Sequence, residues 1–308
     1  MDFKLLETLC KFQATSGDES RLKEFLVRYV NKHSSEWKSA PQVIKGEEFQ
    51  DNLMLVFGQP KVAYYAHMDS VGFTTRYQNQ LITIGSPEAE NGDQLVGEDI
   101  LGFIECTTKI DANGNTFHDF KRTIEPGTCL VYKPNFKHEE ESITSCYLDN
   151  RLGIFALLQL AKTIEHGVLV FSTYEEHGGG SAGFLAKYLY HKYNLIKSLI
   201  IDVTWATEGI QLGQGPVVSL RDAFIPRKKF INEITSHLDE SSLVYQKEVE
   251  ASGGSDGSEL QRSPLPIDWC FIGVPINNPH AATEEANVFD IIRLIALLET
   301  LSIKLHDK

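Results

Sequence analysis

The chain has 308 residues, 42% of them hydrophobic, and a formal net charge of −13. That length and apolar content fill one large domain, or a domain carrying an insertion, and the acidic balance argues against nucleic acid or an anionic membrane as partner. No apolar run reaches the roughly 18 residues that a membrane span needs, and five cysteines without a C-x-x-C pair read as reduced thiols of a cytoplasmic protein.

The first stretch, residues 2–13, puts Phe3, Leu5, Leu6, Leu9 and Phe12 on one helical face. Its charges fall inside the apolar run, so it reads as an amphipathic helix rather than a signal peptide. Ser16-Gly17-Asp18-Glu19 has the spacing of a capping box and predicts a second helix through Leu22, Phe25, Leu26, Tyr29 and Val30. Strands are expected at 52–57 and 61–66, joined through Gly58-Gln59-Pro60 as a hairpin or tight connection. The second of these ends in His67-Met68-Asp69.

From Val71 to about Thr144 the segments are short and rich in turns, with Asp111-Ala112-Asn113-Gly114 as a hairpin signal. No helical periodicity shows there. Residues 71–143 are therefore expected to form an inserted β-barrel-like domain, interrupting a larger domain made of residues 1–70 and 144–308. The α/β alternation resumes at Ser145–Asp149, followed by a helix over 150–164 packing one side inward through Leu152, Phe155, Ala156, Leu158, Gln159 and Ala161. A strand at 168–173 precedes a helix at 182–193. Strands at 198–204, 217–221, 244–250 and 267–273 and helices at 224–238 and 288–304 follow, with 251–257 as a loop. Alternating strands and helices predict an α/β fold, a doubly wound mixed sheet flanked by helices.

The chain is organised around Val168–Gly180, VLVFSTYEEHGGG. An apolar run of this kind fits a strand buried on both faces. It ends in Glu175 and Glu176 at the carboxyl end of a central strand, where open α/β sheets place their ligands. Other strand ends finish in His67, Asp149, Asp202 and His280. Each has an ordinary reading taken singly: His67 as a satisfied polar residue, Asp149 as a helix N-cap, Asp202 as the partner of a buried arginine, His280 as a turn residue. Taken jointly, two histidines and three carboxylates from separate strand ends are the ligand types of borderline divalent cations, and with one shared carboxylate five ligands can hold two ions. No G-x-S-x-G, H-E-x-x-H, P-loop or G-x-G-x-x-G after a strand competes.

Seven segments occur in an order that resembles a known family: AHMDSVGF (66–73), SCYLDNRLG (145–153), TYEEHGGGSAG (173–183), IIDV (200–203), GQGP (213–216), GGSDG (253–257) and VPINNPH (274–280). Together they look like the co-catalytic metallo-aminopeptidases of clan MH, most closely metallopeptidase family 42, with its glutamyl, deblocking and tetrahedral aminopeptidases. The resemblance covers essentially the whole chain. It implies two divalent metal ions per chain, zinc first, with cobalt or manganese as alternatives. His67 and Asp202 would hold one, Glu176 and His280 the other, and Asp149 would bridge. It further implies that Asp69 orients His67, and that Glu175 is the general base taking a proton from a bridging water and returning it to the leaving amine. Peptides with a free N-terminus would be the substrates, the inserted domain a dimerisation element, and the protein a homo-oligomer.

The chain departs from the family pattern at four places. Asn150 stands where the family has Asp, Ser70 where Glu is usual, Ser255 where Thr is usual, and His177, read as an exposed turn residue, where an apolar residue is commoner. None removes an implied ligand or the base. The competing readings are another clan MH hydrolase, either an N-acyl amino acid deacylase or a carboxypeptidase, and a non-catalytic binding module on the same scaffold. Side-chain preference is not set at this level: Arg221, Arg227 and Lys228 in an acidic chain point neither way.

Overall fold

The structure is a computed structural model and describes residues 1–306. In chain order its elements are α1 (Lys4–Leu9), α2 (Ser20–His33), β1 (Gln42–Ile44), β2 (Leu53–Phe57) and β3 (Ala63–His67), then β4 (Gly72–Thr75), β5 (Gln80–Ile84), β6 (Gln94–Asp99), β7 (Gly102–Ile110), β8 (Thr116–His118) and β9 (Cys129–Tyr132). They continue as β10 (Lys137–His138), β11 (Ser142–Ser145), α3 (Leu148–Leu160), β12 (Gly167–Ser172), α4 (Ala182–Tyr193), β13 (Lys197–Trp205) and β14 (Val217–Arg221). Last come α5 (Lys228–Glu240), β15 (Gln246–Val249), α6 (Asp256–Arg262), β16 (Asp268–Asn277), β17 (Glu284–Asn287) and α7 (Val288–Lys304).

The large sheet runs β1-β2-β12-β3-β13-β16-β17-β11-β10, with β14 and β15 branching from β16. Its centre, β12, β3, β13 and β16, is parallel, and antiparallel strands flank it. Both faces are apolar, with the period of two that a strand imposes. Leu53, Leu55 and Phe57 pack under α1, α2, α3, α5 and α7, while Met54 and Val56 face the layer of α4 and α6. Residues 72–132 close a six-stranded barrel of their own, packed on Phe73, Leu95, Ile104 and Leu130. The chain then rejoins the large sheet through β10 and β11.

Local reading differs from the structure at several points. β2 and β3 are not a hairpin: β12 lies between them, antiparallel to one and parallel to the other. Burying both faces of β2 against the helix layers outweighs the short turn. α3 is buried all round rather than along one side, with only Gln159 half-exposed, because β13 and β3 lie beneath it and α1 and α7 cover it. Gly153 permits that approach: a Cβ there would overlap Asn150 Oδ1 and the Ile201 carbonyl. The expected loop at 251–257 turns into α6 at Asp256, and β17 is a short strand with no apolar run to announce it. No helix among the described residues is long and apolar enough to cross a membrane.

Candidate metal centre and active site

Strand register aligns the site. Ser172 of β12 lies beside His67 of β3, and Asp202 of β13 beside Gly273 of β16. The residues just beyond these ends therefore crowd one edge of the sheet, as parallel α/β sheets dictate. His67 Nε2 lies 3.1 Å from Asp149 Oδ1, 3.4 Å from Asp202 Oδ1 and 3.9 Å from Glu175 Oε2. His280 Nε2 lies 3.3 Å from Asp149 Oδ2 and 3.4 Å from Glu176 Oε2. All five candidate ligands thus surround one volume, and the two Asp149 oxygens face different histidines. Ligand atoms of His67, Asp149 and Glu176 fall within 4.8 Å of one another, the spacing of a cation site. Tyr147, Tyr174, Asn278 and His280 hold left-handed backbone, at φ of 66°, 65°, 52° and 62°, in the segments that deliver these side chains. Strained backbone of this kind gathers at functional sites.

The second nitrogens of the imidazoles indicate what the volume is built for. His67 Nδ1 stands 3.1 Å from the Asp69 carbonyl oxygen, and His280 Nδ1 stands 3.2 Å from the Ser86 carbonyl oxygen. With Nδ1–H given to those carbonyls, each Nε2 presents a lone pair to carboxylate oxygens. Lone pair against anion is repulsive unless a proton or a metal cation lies between them. Asp149 Oδ1 and Glu176 Oε1 are moreover buried without a hydrogen-bond partner, a costly state that a cation relieves. The donor set therefore fits divalent cations of the zinc, cobalt or manganese type.

Without such ions the charges strain against one another. Burial pushes Glu175 and Glu176 well above the usual carboxylate range, reinforced by Asp202 at Glu175 and by Asp149 at Glu176. Burial likewise raises Asp202. At His67 burial opposes the proton, but the facing Asp202 and Asp149 carboxylates win and raise it. At Asp149 burial is overcome by the two imidazoles, which hold its carboxyl low.

Asp69 and Glu284 are the carboxylates that accept hydrogen bonds from the backbone of this cluster. Asp69 accepts the backbone N–H groups of Glu175 and Glu176 at 3.1 and 3.0 Å, and the Ser16 hydroxyl at 2.6 Å. The capping box expected at 16–19 is thus not one: Ser16 turns to Asp69, and Glu19 accepts the N–H of Gly17 and Tyr174. Glu284, which sequence reasoning missed, is almost fully buried; it accepts the Asp149 N–H at 3.1 Å and the His280 N–H at 2.8 Å. Nothing local sets it apart from Glu285 next to it. Glu175 keeps 17% of its side chain accessible against 2% for His67, so it faces the opening.

Residues 106–297, more than half of the chain, match the model of the M42 glutamyl aminopeptidases. The chain belongs to this peptidase family. It is accordingly a hydrolase of the aminopeptidase type. FrvX of Escherichia coli (strain K12), provisionally named an aminopeptidase, is 25% identical over 306 residues, covering 83% of this chain and 82% of its own. An Acetivibrio thermocellus protein, also provisionally named an aminopeptidase, is 22% identical over 338 residues, covering 96% and 97%. The fold is shared with the TET aminopeptidase of the marine sediment archaeon Thaumarchaeota archaeon SCGC AB-539-E09, at a TM-score of 0.84 and 17% identity over 99% of this chain and 98% of that one. It is also shared with the Pyrococcus horikoshii TET1 peptidase, described as assembling into a tetrahedron or a large octahedral shell, at a TM-score of 0.78 and 19% identity over 97% and 98%.

This M42 chain accommodates its own departures. Asn150 follows Asp149 through a cis peptide bond; its amide donates to the Ile201 carbonyl at 2.9 Å, and its Oδ1 accepts the Gly153 N–H at 2.9 Å. An ionised Asp could not make the first of these bonds. Ser70 donates to the Ala14 carbonyl at 3.1 Å, and Ser255 donates to Asp202 Oδ2 at 2.5 Å. His177 is exposed and accepts the Gly85 N–H at 3.0 Å, fastening the barrel to the site loop.

Proposed function

We propose that this M42 chain is a metal-dependent aminopeptidase that removes N-terminal residues from short peptides. The observation that carries the reading is the pair of imidazole Nε2 atoms facing a ring of carboxylates, with one further carboxylate, Glu175, at the opening. His67 and Asp202 would hold one divalent cation and His280 and Glu176 another, with Asp149 shared between them. Cations held by these residues would supply Lewis acidity to the scissile carbonyl and to the attacking water.

Glu175 takes a proton from the attacking water and delivers it to the leaving amine. Its buried setting, which raises its affinity for a proton, suits it to hold one in transit. Asp69 keeps the Glu175 and Glu176 backbone and the His67 ring in place. Glu284 does the same for Asp149 and His280.

The barrel would serve self-association. Ile100, Leu101 and Phe103 stand 84%, 71% and 63% exposed on its β6–β7 hairpin, an apolar tip of the kind that contacts a second copy. The TET relatives that share this fold form closed assemblies, and a dimer or a multiple of dimers is the state we assign. Five free cysteines, four of them buried, accord with a cytoplasmic location.

The test is metal content and activity of purified protein before and after chelation, on aminoacyl p-nitroanilides and on one peptide beside its N-acetylated twin. About two ions per chain and chelator-sensitive cleavage of the free peptide alone are expected. Cleavage of the acetylated twin would replace the reading with a deacylase or endopeptidase, and metal bound without turnover would leave a binding module.

A further inference from the structure

A cavity of about 150 Å³ opens beside Asp202. Val203, Thr204 and Trp205, which continue β13 from Asp202, form one wall, and the Ser252–Gly254 segment forms another. That segment leads into Ser255, whose hydroxyl donates to Asp202. Trp205 also stands edge-on to His280, ring centres 6.4 Å apart. The cavity wall is therefore continuous in the chain with Asp202 and Ser255 and touches His280 through Trp205, close to where a substrate held by its amine and carbonyl would direct its first side chain.

The charged part of the cavity wall is entirely acidic: Asp222, Glu248 and Glu250. Glu248 is 4% and Asp222 9% exposed. Thr204 donates its hydroxyl to Glu248 Oε1, and the Phe224 N–H donates to Asp222 Oδ1 at 2.6 Å. No ion pair involves any of the three among the described residues. The neighbouring cation, Arg221, gives its Nε to the Asp222 carbonyl oxygen at 3.1 Å and not to the carboxylate. Burial holds the Glu248 and Asp222 carboxyls above their ordinary range. Arg221 offsets part of the cost at Asp222, but no cation acts on Glu248; a buried carboxylate of that kind is unfavourable until a cation enters, and this cavity is open to one. Val203, Trp205 and Phe271 supply apolar surface along which the stem of a long basic side chain can lie.

We propose that this cavity is the subsite for the substrate's first side chain, and that it selects peptides beginning with lysine or arginine. The proposal rests on the aminopeptidase reading. It sets this chain apart from the glutamyl preference in its family's description, because an N-terminal glutamate would add like charge to an acidic pocket.

The experiment compares kcat/KM for lysyl, arginyl, leucyl and glutamyl p-nitroanilides in the wild type, Glu250→Gln and Glu248→Gln. Calorimetric binding of L-lysine against uncharged L-norleucine is measured in parallel. Glu250 is only half-buried, so its substitution leaves folding intact where the buried Glu248 could not be replaced safely. The wild type is expected to favour lysyl and arginyl over leucyl by at least about tenfold and over glutamyl by about a hundredfold or more. Each substitution should lower the lysyl-to-leucyl ratio at least about fivefold, chiefly through KM, since a charge contact far from the reacting atoms is shared by ground and transition states. Lysine should bind more tightly than norleucine. A leucyl or glutamyl preference, or a ratio that neither substitution moves, overturns the subsite and leaves the aminopeptidase standing. Failure to cleave any aminoacyl substrate overturns both.

Discussion

At the carboxyl-terminal edge of the large sheet, Asp69, Asp149, Asp202 and Glu284 are buried together, with hydroxyls, backbone N–H groups and imidazoles as their partners. The barrel treats its charges differently. Arg122 grips Asp99 with two bonds of 2.6 and 2.7 Å, Lys133 meets Glu105 at 2.5 Å, and each of these carboxylates thus has its own cation outside the apolar interior. The barrel follows the ordinary rules of a stable small domain. The sheet edge breaks them, gathering like charges in low dielectric beside left-handed backbone. The difference separates a part built as an ordinary folded core from a part whose donor set fits cations. Contacts from the barrel also reach the site: Ser86 meets His280, and the Glu88 N–H donates to the His280 carbonyl.

The sharpest way to test this contrast is at Glu175. Glu175→Gln should cost about 10²–10⁴-fold in kcat, with metal content unchanged by elemental analysis and no loss of thermal stability, because a buried carboxyl that resists ionisation has been removed. A variant that loses its metal as well would show Glu175 to be a ligand instead. The reverse pattern belongs to the two cores. Phe155→Ala under the sheet and Phe73→Ala in the barrel, both fully buried, should each cost about 3–5 kcal/mol of stability in denaturant titration. Metal stoichiometry should survive in the folded fraction.

A smaller effect is expected at Glu284. Glu284→Gln should weaken metal binding about 10–100-fold, read by competition with a chelator, since an amide is a poorer acceptor for the Asp149 and His280 N–H groups. The smallest effect concerns pH, where the two regions should slope in opposite directions. Arg122 depresses Asp99 from 3.8 to about 2, so its contribution is intact above 3.8 and is lost as pH falls toward 2; Arg122→Gln should flatten that acid limb. Beside the site, burial and then Asp69 raise Glu19 from 4.5 to about 7. Its contribution is greatest below 4.5 and is lost as pH rises through 7, and Glu19→Gln in the metal-free protein should remove that alkaline decline. Slopes of the same sign in the two variants would dissolve the comparison.

Much of this was readable from residues alone. Strand β12, helices α4 and α7 and strand β14 lie where periodicity placed them, because apolar side chains at a fixed spacing must find a common face. His67, Asp149, Glu176, Asp202 and His280 were legible as strand-end exceptions to apolar runs, and the structure brings them together. Glu284 was not, because what distinguishes it is two backbone N–H groups, one of them 135 residues away. Ser16 was misread because its hydroxyl has a distant acceptor, Asp69, in place of the local one that its spacing suggests.

The chain by itself therefore determined most of the strands and helices though not α6 or β17, that a β-rich unit interrupts them, and which side chains are chemically suited to cations. These follow from short-range periodicity and from the solvation cost of a charge in an apolar run. The tertiary structure alone decided that β12 separates β2 from β3, that Glu284 and Asp69 hold the cluster, and that Asp222, Glu248 and Glu250 share one cavity beside it. Such pairings are settled by how two sheet faces are covered and by which distant amides and carboxylates meet, and no local pattern encodes a partner a hundred residues away.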